Sequence, residues 1–106
     1  MPYSGGPMTE AMYYVLLALM NPAHGYRLMQ EIQSVSNGRL QMGPGTLYGV
    51  LARMQSDKLI QLVNEDGRRK IYRITKEGEN ALYLEYNRLA DMVNDGKMML
   101  DKGTEK

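Results

Sequence analysis

The sequence predicts a mainly α fold with one small β-hairpin, and three observations predict it. Leu47, Val50, Leu51 and Met54 stand at i, i+3, i+4 and i+7, so they line one face of a helix. At about 100° per residue, the opposite face holds only Gly45, Gly49, Ala52 and Ser56, with Thr46, Tyr48 and Arg53 as hydrogen-bonding shoulders. A few residues on, Asp66-Gly67 is a two-residue turn signal between β-rich runs, and Arg68, Arg69 and Lys70 follow at the tip. A helix with a smooth outer face, followed by a cationic hairpin, is the pattern of a winged helix-turn-helix. A C-terminal dimerisation helix completes the expected architecture.

Residues 1–8, with two Gly and two Pro, read as a flexible arm. Residues 9–75 form the winged-helix domain. Thr9 is placed to cap a first helix that ends near Met20. That helix is apolar nearly all round from Ala11 to Met20, so both sides should be covered, one by its own domain and one by a second copy. Asn21-Pro22 breaks it. A second helix runs from about Gly25 to Ser34, with Leu28, Met29, Ile32 and Val35 on the core side. Asn37-Gly38 supplies a left-handed stop. Leu40 to Met42 reads as a short strand, and Gly43-Pro44-Gly45 turns into the third helix, which ends near Ser56.

Ile60 to Glu65 alternates as a strand, and Lys70 to Ile74 returns beside it with Tyr72 and Ile74 inward. Ile71, apolar on the other face, leaves the register open. Thr75 caps the last helix, assigned to 76–100 and followed by a tail at 101–106. On it Leu82, Tyr86, Leu89 and Val93 are spaced 4, 3 and 4, a narrow seam suited to a partner helix. Gly96 interrupts that seam.

Composition excludes several classes. The chain has 106 residues, no Cys and one His, so thiolate metal sites and disulfides are absent and no metal site is expected. The longest apolar stretch is far short of the roughly 20 residues needed to span a bilayer. The first residues carry no cationic segment, so a cytoplasmic location without a secretory signal is expected. Net charge is only +1, but its distribution is uneven. Arg39 to Lys76 holds eight basic and three acidic residues, a net +5, and the rest holds five basic and nine acidic, a net −4. Attraction to phosphates would therefore be local to the third helix and hairpin.

Each feature also has a plainer reading. Gly49 costs roughly 1 kcal/mol mid-helix relative to Ala, which suits close approach to DNA or to another helix. Arg53 can reach a phosphate or guanine edge, or pair with Asp57 at i+4. The cationic tip is either a DNA contact or a solvated turn. His24 reads as structural, bonded near its turn, and catalysis lacks a nucleophile-base pair. Met29 and Met54 read as core. A winged helix that binds an acidic protein surface through its basic tip is the alternative. A membrane-surface module is disfavoured, because no helix combines a basic face with an apolar one.

The quoted pieces, taken together, resemble the PadR family of bacterial transcriptional regulators. They are His24-Gly25-Tyr26, Gly45-Thr46-Leu47-Tyr48, Leu51-Ala52-Arg53-Met54, Leu59-Ile60, Gly67 to Ile74, and Thr75 with Gly78, in the family's order over residues 9 to about 82. The length is similar to the short subfamily with a single C-terminal helix. Many relatives have Gly where Lys58 stands, and this chain has no Trp for stacking flat drugs.

The resemblance implies a homodimeric regulator, a repressor, that binds a palindromic double-stranded operator and needs no cofactor. DNA contacts are expected from Tyr26, Gly45, Thr46, Tyr48, Gly49, Ala52, Arg53, Gly67, Arg68, Arg69, Lys70 and Tyr72. The dimer seam is expected at Met12, Val15, Leu16, Leu19, Leu82, Tyr86, Leu89 and Val93. A small hydrophobic or aromatic effector would lie among Tyr13, Leu82, Tyr86, Leu89 and Met92.

Overall fold

The computed structural model describes residues 6–66 and 69–104. Four helices and three strands follow in the order α1 (Glu10–Ala18), β1 (Ala23–His24), α2 (Gly25–Val35), α3 (Pro44–Ser56), β2 (Ile60–Asp66), β3 (Arg69–Ile74) and α4 (Lys76–Thr104). The caps follow from local chemistry. The Thr9 hydroxyl accepts from the Met12 N–H at 3.1 Å, and His24 Nδ1 accepts from the Arg27 N–H at 3.5 Å, so the single histidine caps α2. Pro44 opens α3, where a missing N–H costs nothing.

α1 is the central helix, and that explains its apolar circumference. Met12, Val15, Leu16 and Leu19 are buried inside the protomer, and the helix packs on α2, α3 and α4. The expectation that these four residues meet a second copy is therefore corrected, because the same chain covers them; Ala11, Tyr13, Tyr14 and Leu17 on the rest of the helix are only partly buried. Met8 is buried too, so the expected arm docks on the core by residue 8. At the end of α2, Val35 is exposed, contrary to expectation. Ser36 turns inward instead, and its hydroxyl accepts from the Leu40 N–H at 3.0 Å. Arg39 ties the following loop to α1, through an ion pair with Glu10 and a 2.8 Å hydrogen bond to the Tyr14 hydroxyl.

The sheet has strand order β1-β3-β2 and is antiparallel throughout. Its third strand is Ala23–His24 and not Leu40–Met42, which stays a loop. β3 has only one edge left after pairing with β2, and residues 23 and 24 occupy it opposite Tyr72 and Ile71. The register left open by Ile71 is resolved by an irregularity between Leu62 and Asn64, so that Asn64 rather than Val63 faces Ile71. Asp66 pairs with Arg69, so Asp66 belongs to the strand rather than to the expected turn. Gly67 and Arg68 lie outside the described residues.

α4 has 29 residues and passes through Gly96, as the assignment to 76–100 requires, and it continues to Thr104, so residues 101–104 are helix rather than tail. One glycine costs about 1 kcal/mol in a helix, too little to end it among good helix formers such as Lys97, Met98 and Leu100. The helix projects past the domain and gives the molecule a 62 Å long axis.

α3 closes with a left-handed residue. The Leu59 N–H reaches the Met54 carbonyl at 2.9 Å and the Lys58 N–H reaches Gln55 at 3.0 Å, with Lys58 at φ 64°. A non-glycine residue there is strained. Lys58→Gly is expected to stabilise the fold by about 1 kcal/mol, read as a higher urea midpoint. An unchanged midpoint would mean that the strain is offset elsewhere.

Candidate nucleic-acid interface

α3 buries Leu47, Leu51 and Met54 and half-buries Val50. That fixes what it presents outward. Gly45, Gly49, Ala52 and Ser56 are all exposed, and a Cβ built on Gly45 or Gly49 meets nothing within 4 Å. Mid-helix glycine here therefore answers no packing need within the protomer. Thr46, Tyr48 and Arg53 are exposed on the shoulders. Arg53 and Asp57 do approach, at 3.9 Å, but the Arg53 side chain remains largely exposed. Such a pair contributes only tenths of a kcal/mol, so the guanidinium is free to exchange it for another anion.

The start of α3 meets α2 and the hairpin at a notch of about 430 Å³, lined by His24, Gly25, Tyr26, Tyr48, Arg69, Lys70 and Tyr72. Three phenols and two cations thus converge from three elements that are remote in sequence. Gly25 makes this possible. A Cβ there would come within 2.7 Å of Tyr48 Cζ, so glycine lets the Tyr48 ring lie across the start of α2 where a larger residue would push the ring aside. Sequence reasoning saw His24-Gly25-Tyr26 only as a matching motif, because the contact partner lies more than 20 residues away. Tyr26 and Tyr48 are exposed, while Tyr72 is buried. Tyr72 is therefore the floor of the notch and a core residue, in keeping with its expected inward direction on β3, and its buried ring does not suit the DNA contact also expected of it. Arg69 and Lys70 are exposed; Gly67 and Arg68 of the expected tip are outside the described residues.

The expected dimer residues separate into two groups. Met12, Val15, Leu16, Leu19 and Leu82 belong to the protomer core and leave nothing for a partner. Tyr86 and Val93 are exposed, Val93 at 71%, and Leu89 is half-buried. Further exposed apolar side chains on α4 are Met92, Met98, Met99 and Leu100.

Of the residues expected around an effector at the seam, two line a cavity within the single protomer. Tyr13 and Leu89 line a cavity of about 320 Å³ with Tyr14, Arg39, Glu85 and Arg88, whereas Leu82 is buried and neither Tyr86 nor Met92 lines it. Glu85 is buried on α4. Arg88 Nε and Nη2 donate to its oxygens at 2.9 and 2.5 Å. These bonds hold the carboxyl below its ordinary range despite the opposing effect of burial. Burial first, then Tyr86, Tyr14 and Glu85, push the Tyr13 phenol above its ordinary value, so it stays an O–H donor. The i,i+3 spacing of Glu85 and Arg88 was visible in the sequence, but an exposed helical pair would look the same.

Among the described residues no group of three or more His, Cys, Asp or Glu could hold a metal ion, and no helix is long and apolar enough to cross a membrane.

The comparisons agree with this geometry. Residues 15–83 match the family model described as transcriptional regulator PadR-like family. Transcriptional regulator Rv3488 of Mycobacterium tuberculosis (strain ATCC 25618 / H37Rv) is 38% identical over 80 residues, covering 71% of this chain and 70% of that protein. An uncharacterized 37.1 kDa protein in transposon TN4556 of Streptomyces fradiae is 39% identical over 82 residues, 76% of this chain. The chain spans 23%, 62% and 31% of the length of three further curated relatives, that Streptomyces protein among them. A padr family transcriptional regulator from Eggerthella lenta DSM 2243 superposes with a TM-score of 0.67 at 28% identity, covering 83% of this chain and 75% of that one.

Proposed function

Since the chain belongs to the PadR-like family of transcriptional regulators, whose members are regulators and not enzymes, we propose that it is a homodimeric repressor that occupies a palindromic operator. One observation supports this most directly. The outward face of α3 is a strip of Gly45, Gly49 and Ala52 between hydrogen-bonding shoulders, beside the exposed cations Arg69 and Lys70. A strip without long side chains brings the helix backbone near base edges in a major groove. Thr46, Tyr48 and Arg53 then reach the groove walls, and the hairpin meets the neighbouring backbone. Arg68 and Gly67 belong to the same contact. In a two-fold dimer the two α3 helices stand about 34–36 Å apart, one helical turn of DNA.

Neutralising Arg69 and Lys70 tests this. Affinity for every duplex should fall, and the log–log salt slope should flatten by roughly 0.9 for each phosphate that is no longer neutralised. Random-sequence duplex should show the same slope change. An unchanged slope removes the hairpin from the interface and favours a protein partner.

The dimer in this reading forms along α4, through Tyr86, Leu89, Val93 and the apolar strip beyond them. Val93→Glu should give a folded monomer by sedimentation, because Val93 contributes nothing to the protomer core and a charge in the seam would be buried unpaired. An intact dimer would move the seam elsewhere. A small aromatic effector is assigned to the cavity between Tyr13 and Leu89. It would relieve repression only by binding one dimer geometry better than the other. The cytoplasm is the compartment this role requires.

A further inference from the structure

The start of α4 is bolted to the end of α3 at one residue. The Thr75 hydroxyl donates to the Lys58 carbonyl at 2.7 Å, and the Thr75 N–H donates to the Leu59 carbonyl at 3.0 Å. The same hydroxyl oxygen accepts from the Gly78 N–H at 3.0 Å, which caps α4. Gly78 brings its bare Cα against the Leu59 carbonyl, where a side chain has no room. Lys58 and Leu59 are in turn the two residues that close α3. Every one of these bonds ends on backbone, so the joint has no flexible side chain at its far end. β2 and β3 form a hairpin between residues 59 and 75 and bring the two ends together.

We infer that Thr75 is a positioning residue. It makes α4 and α3 one rigid lever, so that a change in how two α4 helices cross is delivered as a rotation of α3 against DNA. This inference rests on the reading of α3 as the DNA-contacting helix and α4 as the dimer element. It adds the route between them. A cap alone would need only the acceptor oxygen of Thr75, and the donated bond to Lys58 is what a joint adds.

The two roles separate chemically. Thr75→Asp keeps a strong cap for α4 but cannot donate to the Lys58 carbonyl. Thr75→Ser keeps both bonds. The chain has no Cys, so spin labels at Gln55→Cys and Asn94→Cys, both exposed, report the α3–α4 distance in spin-diluted protein without DNA. Thr75→Asp is expected to broaden that distance distribution, with helix content unchanged. It should also lower the affinity for a duplex selected from a random pool about fivefold relative to random duplex, the value of one hydrogen bond near 1 kcal/mol. Thr75→Ser should match the unsubstituted chain in both. Thr75→Ala, read the same way, replaces the aspartate variant if that one does not fold. A narrow, unshifted distribution in the variant without the donor overturns the joint. Absence of salt-sensitive DNA binding in the unsubstituted chain would sink the reading of α3 and leave the distance result to decide the joint.

Discussion

Replacing Gly49 with leucine is expected to make the protein more stable and a worse DNA binder. Gly49 lies mid-helix with open space around its Cα, so a side chain meets nothing in the protomer. The helix gains about 0.8 kcal/mol from losing a glycine. The same side chain would stand in the centre of the strip that approaches the bases. Overfilling a close-fitting contact costs about 2 kcal/mol, or roughly thirtyfold in affinity in each half-site. Melting temperature and affinity measured on one preparation should therefore move in opposite directions. Stability is the internal control, because a folding defect cannot produce this pattern. Retained affinity with a raised melting temperature would take this face of α3 out of the groove.

Gly78→Ala should have the opposite character. The added methyl would overlap the Leu59 carbonyl and lie within 2.8 Å of Ile74 Cγ1. A carbonyl held in the α3–α4 junction cannot swing away as a side-chain tip could, since it already accepts the Thr75 N–H. The cost is on the order of 3 kcal/mol, at the upper end for overpacking. A domain of this size has only about 5–15 kcal/mol to lose, and its melting point should drop by roughly 15 °C. Gly96→Ala, mid-helix in α4 with open space around its Cα, serves as the control and should melt no lower than the unsubstituted chain. A small drop in Gly78→Ala would mean that α4 can shift on the domain, which would also weaken the case for a rigid joint.

The two glycines show where sequence reasoning reached and where it stopped. Gly49 was assigned to the outer face of α3 by periodicity alone, because Leu47, Leu51 and Met54 determine which side of a regular helix is buried. Gly78 was only one of several matching positions. Its neighbour, the Leu59 carbonyl, is 19 residues away and belongs to backbone that has no sequence signature. Gly25 too has a neighbour remote in sequence, the Tyr48 ring, although that neighbour is a side chain and not backbone.

The faces of α1 and α4 could not be assigned for a related reason. An apolar circumference states that a helix is surrounded but not by what. For α1 its own chain buries Met12, Val15 and Leu16 and leaves Tyr13 and Leu17 half-covered, and for α4 beyond Leu89 the strip is left exposed. The missed strand β1 has two residues, too short for any alternation to register, and it exists only because β3 offers an edge.

By itself the sequence determined the helix caps at Thr9 and Thr75, the left-handed stop at Asn37, the hairpin, and the bare outer face of α3. All of these depend on residues within one or two turns of each other, where spacing dictates geometry. Only the tertiary structure decided which apolar faces are spent inside the protomer, which tyrosines join Arg69 and Lys70 in one notch, and why residue 78 must be glycine. Those outcomes are set by contacts between distant segments, and a one-dimensional pattern contains no record of which segment will arrive.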